Sequence, residues 1–285
     1  MAVAYSLDPP RFAGLNVYRL IAGCLAVCLV SSSNYVLNEI LDAAHDRLHP
    51  FKRSRPVARG AVSVRLAYLE WLLLFAAGIG LGLFVSQTFA LAAGGLWMAG
   101  CLYNIPPLRT KDVPYLDVVS EAVNNPIRML LGWYLTETAA LPITSLLTSY
   151  WMLGCYFMAI KRYSELRELG PTDLAPYRRS FRYYTERGLL ASVMFYAANG
   201  LLFLGAFVAR YRLELALAFP LVAAVMAAYL WLAFEPNSPT QHPESLYKHP
   251  LILWTTVACA GMMLTLLFVD VPFLHAVFQA SRPGL

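Results

Sequence analysis

Charged residues are scarce in this chain. Of its 285 residues, 14% are charged and 59% are hydrophobic, with a mean hydropathy of +0.54, whereas soluble domains carry about 25% charged residues. None of the five cysteines forms a CxxC pair, so the sequence offers no thiol metal or redox motif, and we interpret them as small core residues. The composition excludes an ordinary soluble domain and indicates a polytopic membrane protein.

Several other signals are missing. The sequence has no nucleophile elbow, no P-loop and no GxGxxG following a strand, and no signal peptide with a cleavage site precedes the first apolar run. The net charge of +5 suits anionic lipid or phosphate. It gives no reason to expect nucleic acid as a partner, and no feature specifies a protein partner.

Long apolar runs dominate what is present. A helix needs about 20 apolar residues to cross a bilayer, and only helices or closed barrels satisfy their backbone there. We predict an all-α bundle of eight transmembrane helices forming one domain over residues 1–285, with Val85-Ser86-Gln87 as the turn between the second and third. The predicted spans are approximately residues 14–41, 64–85, 87–104, 114–134, 142–162, 188–209, 213–234 and 250–270.

Basic residues are concentrated in the loops after the first, third, fifth and seventh spans, which hold most of the 22 Lys and Arg residues. Cytoplasmic loops carry such an excess. The pattern therefore predicts a multi-pass protein of a bacterial inner or cell membrane, with these loops in the cytoplasm and both termini outside.

A ladder of polar residues ends the first span: Asn34, Asn38, Asp42 and Asp46. Residues four apart share a helix face, and Mg²⁺ commonly binds one or two carboxylates together with phosphate oxygens. Lys52 and Arg55 follow and can hold phosphate by charge and forked hydrogen bonds. We predict a Mg²⁺–diphosphate site near the cytoplasmic face, in which Asp42 and Asp46 are catalytic metal ligands and Asn38, Lys52 and Arg55 bind substrate. The alternative is a solvated helix end before a basic loop.

A second polar group surrounds the fourth span. Asp117, Glu121, Asn124 and Arg128 are spaced i, i+4, i+7 and i+11, a stripe that lipid would penalise unless it faces a cavity. The segment YNIPPLRTK precedes it, and its basic residues are expected in the cytoplasmic loop. The predicted catalytic residues are Glu121 and Arg128, and the predicted substrate-binding residues are Tyr103, Arg109, Lys111, Asp117 and Asn124. The alternative is an internal Glu121–Arg128 ion pair that only joins helices.

The fifth span ends in KRYSELREL, where Lys161, Glu165 and Glu168 share a face. We predict a second wall of the cavity there, with Lys161, Arg162 and Glu165 binding substrate; the alternative is a solvated helix end. The basic and aromatic stretch from Pro171 to Arg187 predicts a short amphipathic helix on the membrane surface.

Two of these stretches resemble a known family. NEILDAAHDRLHPFKRSRP resembles the first aspartate-rich motif of the UbiA superfamily of intramembrane prenyltransferases, NxxxDxxxD followed by HPxKxxRP. Asn38, Asp42 and Asp46 match its Asn and two Asp positions, and Lys52 and Arg55 match its basic positions. YNIPPLR is similar to the YSxPPLRxK segment of the superfamily, and the likeness extends from the first span to the last.

The resemblance implies a bundle of nine transmembrane helices around a cavity open sideways to lipid, holding a Mg²⁺-chelated diphosphate donor. Because such proteins have one span before the motif-bearing helix, we expect the usual first helix to be missing here. KRYSELREL stands where many prenyltransferases have a second aspartate-rich motif, and it resembles the KRYxEL element of decaprenyl-phosphate phosphoribosyltransferases.

The expected function is Mg²⁺-dependent transfer of a prenyl group from a polyprenyl diphosphate to a small aromatic acceptor. The expected partners are a lipid-linked isoprenoid substrate and membrane lipids. Transfer of phosphoribose from phosphoribosyl diphosphate to polyprenyl phosphate is the alternative within the superfamily. Outside it, the alternatives are a transporter that uses the polar stripe as an ion path and an inactive lipid-binding membrane protein.

Overall fold

The computed structural model describes residues 16–47, 52–135, 141–174, 179–241 and 243–279, and within these ranges the side chains of residues 169–174, 243–245 and 279 lie outside the description. Over these ranges the chain is helical and contains no strand. The α-helices are α1 Val17–Asp46, α2 Val64–Val85, α3 Gln87–Asn104, α4 Leu116–Ala122, α5 Asn124–Tyr134, α6 Thr144–Leu174, α7 Glu186–Tyr211, α8 Phe219–Leu232, α9 Pro250–Leu266 and α10 Pro272–Gln279.

The all-α prediction is confirmed, and each of the eight predicted spans corresponds to a helical segment. Within the described residues, four segments are long and apolar enough to cross a membrane, and α9 is a shorter apolar helix. Those four are Val17–Asp46, Val64–Val85, Glu186–Tyr211 and Leu213–Leu232. The last begins as the 3-10 segment Leu213–Ala218 and continues as α8.

The predicted turn at Ser86 is present. Ser86 ends α2 and begins α3 with an extended backbone, and its hydroxyl accepts a hydrogen bond from the amide of Phe89. A serine at an N-cap satisfies one of the amides that the first helical turn leaves unpaired. One side chain thus divides a charge-poor run that is too long for a single span.

The fourth predicted span is divided into two helices, α4 and α5, which meet at Val123. Pro126 explains the break, because proline has no amide hydrogen to donate to the carbonyl four residues earlier, that of Ala122. The stripe predicted over a single continuous helix is therefore split between two helices, and the side chain of Arg128 is exposed.

Small residues allow the helices to pack closely. A Cβ at Gly78 on α2 would lie 2.7 Å from the Val30 side chain on α1, and one at Gly200 on α7 would lie 2.9 Å from Leu153 on α6. The Ser149 hydroxyl donates to the Gly200 carbonyl at 2.9 Å. Small residues and hydroxyl bonds of this kind hold membrane helices together where water provides no driving force. Three of the cysteines are buried as predicted, whereas Cys24 and Cys28 on α1 are exposed.

The segment after the fifth span differs from the predicted surface helix. α6 continues to Leu174, and Arg179–Arg182 forms a short 3-10 turn. Phe181 and Tyr184 are buried, at 2% and 4% exposure. These two aromatic side chains face the protein, whereas that of Tyr183 is 70% exposed.

Candidate active site

The C-terminal half of α1 presents the ladder to one end of the bundle. Asn34 donates to the Leu96 carbonyl on α3 at 2.9 Å, so the first rung joins helices. Further along, the Asn38 side-chain oxygen and Asp42 Oδ1 accept hydrogen bonds from Lys111 Nζ, at 3.1 and 2.7 Å. Asp46 Oδ2 pairs with Arg55 Nη1 at 2.7 Å. The last three residues of the ladder therefore each contact a basic side chain.

The side chains of Arg109 and Lys111 point back towards the carboxylates of α1 and not into the surroundings of their loop. Arg109 donates to Asp42 Oδ1 at 2.9 Å and to Asp112 Oδ2 at 3.0 Å. Lys111 is 3% exposed and also contacts the side-chain oxygen of Asn104 at 2.8 Å. Arg109 has a positive φ of 26°, an uncommon backbone conformation for a residue with a side chain. The turn after α3 thereby returns two cations to the carboxylates of α1.

A second cluster surrounds Arg162, whose side chain is 4% exposed. Its guanidinium donates to Asp117 at 3.2 Å, Glu121 at 2.8 Å and Glu165 at 2.9 Å. A buried guanidinium needs such partners, because removing a charge from water costs several kcal/mol. Glu121 pairs with Arg162 on α6 at 2.8 Å, and not with Arg128 as the alternative interpretation had it.

Asp117 is completely buried. Tyr184 Oη and Ser180 Oγ donate to its carboxylate, and the amide of Val118 donates to Oδ1 at 2.9 Å. Burial, followed by the charge of Asp117, raises the pKa of Tyr184, so the phenol stays protonated as a donor. The prediction that Asp117 contacts substrate is corrected: its oxygens are committed to the protein, and it positions Arg162.

Tyr103 joins the two clusters. Its hydroxyl donates to Glu121 Oε2 at 2.8 Å, and Lys111 Nζ lies 6.0 Å from the centre of its ring. A cation at this distance from an aromatic face is attracted by the ring. The sequence placed Tyr103 at this end of the bundle, and the structure gives it a contact with each cluster.

Four other predicted residues have different surroundings. Lys52 lies on an exposed 3-10 turn, and Arg128 is exposed on α5, which corrects its predicted place beside Glu121. Asn124 has a buried side-chain oxygen without a partner in the described part of the chain. Lys161 lines a mostly apolar cavity.

Sequence reasoning missed Asn104 and Tyr184. Asn104 is 3% exposed and its amide nitrogen donates to the Gly100 carbonyl, which aims its oxygen at Lys111. Its position inside YNIPPLR was the available signal. Tyr184 is distant in sequence from Asp117, and only the tertiary structure brings them together.

The donor set fits Mg²⁺. Asp42 and Asp46 offer carboxylate oxygens and Asn38 an amide oxygen, the kind of ligand that this ion prefers. Among the described residues, no group of three or more His, Cys, Asp and Glu side chains is placed to hold a metal. A cation here would therefore need further oxygens from a ligand, which phosphate groups supply.

Comparison with known proteins finds relatives that match about half of this chain. A decaprenyl-phosphate phosphoribosyltransferase of Mycolicibacterium smegmatis is 31% identical over 160 residues, 56% of this chain and 48% of that protein. The Sinorhizobium fredii protein y4nM is 33% identical over 126 residues, 44% of this chain and 24% of its own. The chain thus spans half or less of the length of these relatives.

The fold is similar to that of a UbiA homologue from Archaeoglobus fulgidus solved with DMAPP and Mg²⁺. The TM-score is 0.70 at 18% identity, over 91% of this chain and 92% of that one. The model of the UbiA prenyltransferase family matches residues 1–254. With the aspartate ladder, its basic partners and this fold in place, the chain belongs to the UbiA prenyltransferase family, whose members are membrane transferases.

Proposed function

We propose that the protein displaces diphosphate from an activated donor and transfers the remaining group to an acceptor, with Mg²⁺ as cofactor. The observation that carries this proposal is the cluster of Asp42 and Asp46 with Arg55, Arg109 and Lys111, all within ion-pair distance of a carboxylate. Two carboxylates one turn apart favour a divalent cation, and the adjacent bases favour an anionic leaving group.

Asp42 and Asp46 would hold Mg²⁺, which neutralises charge on diphosphate when it is bound. Arg109 and Arg55 lie beside these aspartates, where the departing group gains negative charge that fixed cations stabilise. Lys111 is held by three side-chain oxygens, from Asn38, Asp42 and Asn104. Such fixed donors need little reorganisation as charge develops, which is the advantage of a preorganised site.

Transfer of a prenyl group is the first assignment for the transferred group. It is supported by the family match and by the similar fold of a protein solved with DMAPP and Mg²⁺. In this assignment diphosphate leaves a polyprenyl diphosphate, and a small aromatic acceptor captures the allylic carbon. The distribution of basic loops supports a site near the cytoplasmic face of a bacterial inner membrane.

Phosphoribosyl transfer is the second candidate, favoured by two observations. The relatives include decaprenyl-phosphate phosphoribosyltransferases, and the one from Mycolicibacterium smegmatis is 31% identical to this chain over the matched residues. In addition, Arg162 occupies the centre of three carboxylates, so the segment offers a fixed cation rather than a second metal site. Here diphosphate leaves phosphoribosyl diphosphate, and a lipid phosphate captures the ribosyl carbon.

The test is release of diphosphate by the purified full chain, with farnesyl diphosphate and 4-hydroxybenzoate or with phosphoribosyl diphosphate and farnesyl phosphate. Asp42→Asn should lower turnover at least about a hundredfold, because it removes a ligand charge that acts in the transition state, while the unfolding temperature shows a folded protein. Asp270→Asn is the matched control, because it makes the same change at a carboxylate whose side chain is 77% exposed.

Full activity of Asp42→Asn would refute the diphosphate site. The donor that supports turnover in the wild type decides between the two transferred groups. No turnover with either donor, in a protein that also binds neither, would refute the transferase assignment for these substrates.

A further inference from the structure

A groove of about 470 Å³ runs along the outer face of α2, away from both charged clusters. Its lining residues follow one another at helical intervals, so a single face of α2 forms it. Three of its leucines are 52%, 56% and 60% exposed, and on an apolar helix of a membrane bundle such side chains face lipid. The described lining residues are Leu66, Leu69, Glu70, Leu73, Leu74 and Ala77.

Glu70 is the exception in this apolar lining. It is exposed, and no hydrogen bond or ion pair joins its carboxylate to another residue in the described part of the chain. Helical side chains lean towards the start of their helix, so the carboxylate lies over the first turns of α2. A carboxylate on a membrane helix is costly unless a cation or a hydrogen-bond donor accompanies it. We therefore expect its partner among the molecules that contact this face.

Arg65 adds a charge of the opposite sign at the same end of the groove. It is exposed in the first turn of α2 and, like Glu70, has no ion-pair partner among the described residues. Arg65 shares a face with Leu69, four residues on, and Glu70 shares one with Leu66, four residues back. The two charges are five residues apart, a spacing that does not bring side chains together. The topology accounts for a basic residue here but not for the carboxylate.

The length and polarity of the groove match one leaflet of a bilayer. From Leu66 to Ala77 it extends about 17 Å along the helix axis, and half of the hydrocarbon core is about 15 Å thick. Both charges lie near the start of α2, whereas Leu73, Leu74 and Ala77 further along are apolar. The face therefore presents a cation and an anion at one end and a strip for a hydrocarbon chain beyond them.

We propose that this face of α2 binds a phospholipid whose headgroup carries a primary ammonium, such as phosphatidylethanolamine. The ammonium donates to Glu70, the lipid phosphate accepts from Arg65, and one acyl chain lies along the apolar part of the groove. Charge-assisted hydrogen bonds need N–H groups, so the fully methylated ammonium of phosphatidylcholine offers Glu70 a charge but no donor. A lipid with a phosphate and no amine leaves Glu70 without a partner. The site is independent of the proposed function.

Native mass spectrometry of the full chain tests this, using micelles with equal amounts of phosphatidylethanolamine, phosphatidylcholine and phosphatidylglycerol that carry the same acyl chains. The protein should retain at least about three times more phosphatidylethanolamine than phosphatidylcholine. Glu70→Gln should remove that preference, while its unfolding temperature shows a folded protein. Glu235→Gln is the matched control and should keep the preference, because it makes the same change at an exposed residue outside the groove.

Two further variants locate the lipid. Arg65→Gln should lower retention of both zwitterionic lipids, because they share the phosphate, and Leu73→Trp should do so by filling the groove. Retention as in the wild type in both variants would put the lipid elsewhere and overturn the proposal.

Three other results would also overturn it. The first is a preference for phosphatidylethanolamine that is absent in the wild type or survives in Glu70→Gln. The second is stronger retention of phosphatidylglycerol, which would assign the face to an anionic lipid. The third is a dimer of the wild type that Glu70→Gln dissociates, which would assign the face to a second copy of the chain.

Discussion

Arg162 and Tyr184 together satisfy the most buried carboxylate of the site. Asp117 is fully buried, Arg162 donates to it at 3.2 Å, and Tyr184 donates from the loop that follows α6. Tyr184 also accepts from the Tyr115 amide at 2.9 Å. A buried charge is tolerated only with such partners, so at the residue scale each member of the group depends on the others.

Arg162→Met should destabilise the protein by about 3–5 kcal/mol, because three carboxylates lose a buried counterion. Arg162→Lys should recover part of the loss, since an ammonium keeps the charge but not the planar fork. Reversible unfolding in mixed micelles measures both. Arg167→Met removes an exposed guanidinium that donates to the Phe234 carbonyl and should change stability little. Equal effects of the two methionine variants would contradict the assigned role.

Tyr184→Phe should cost about 1–3 kcal/mol, because it leaves a buried carboxylate without one donor. Tyr183→Phe is the control, since the neighbouring side chain is 70% exposed. The same unfolding measurement applies. A Tyr184→Phe variant as stable as Tyr183→Phe would show that Ser180 and Arg162 suffice for Asp117.

At the scale of the helices, close contact between α1 and α3 sets the position of the ladder. A Cβ at Gly100 would lie 2.2–2.4 Å from the Asn34 side chain, which donates to the Leu96 carbonyl. α3 also ends at Asn104, which holds Lys111. The packing of these two helices therefore fixes the distance between Asp42 and its cations.

Gly100→Ala should destabilise the protein by about 1–3 kcal/mol, the usual cost of overpacking, and should lower turnover by displacing α1. Gly95→Ala on the same helix is the control, because a Cβ there has no neighbour within 4 Å. Unfolding temperature and diphosphate release report the two effects. If both alanines behave alike, α1–α3 contact at Gly100 is not tight in solution.

At the scale of the whole molecule, the described parts of both charged clusters lie at one end of the bundle. They use the C-terminal ends of α1 and α3, the start of α4 and the segment before α7. The distribution of basic loops predicts that this end faces the cytoplasm.

Arg53→Cys should react with a membrane-impermeant maleimide only in inside-out vesicles. Asp270→Cys should react only in cells whose outer layers are permeabilised and whose inner membrane is intact. The two positions lie in loops at opposite ends of the predicted topology, and Asp270 is 77% exposed. The wild type, with Cys24 and Cys28 on a membrane helix, gives the background. Labelling with the opposite sidedness would invert the proposed orientation.

The fold and half of the site follow from local signals. Apolar runs predicted the helices, and the Ser86 side chain caps the helix that begins after it. Both signals are local, because burial in lipid and capping depend on residues that are neighbours in the sequence. The spacing of Asn38, Asp42 and Asp46 put them on one face with Arg55 close behind in the chain, and the structure brings Arg109 and Lys111 to them as well.

The sequence by itself determined the membrane bundle, the aspartate ladder and the bases that follow it, since each is a property of one helix or its flanks. Only the tertiary structure decided which charges pair. Glu121 pairs with Arg162 and not with Arg128, because Pro126 interrupts the helix on which Glu121 and Arg128 would have been aligned. Lys161 lines a cavity, whereas Arg162 lies in a buried cluster, because different neighbouring helices pack against these two positions of α6. No local spacing encodes that difference.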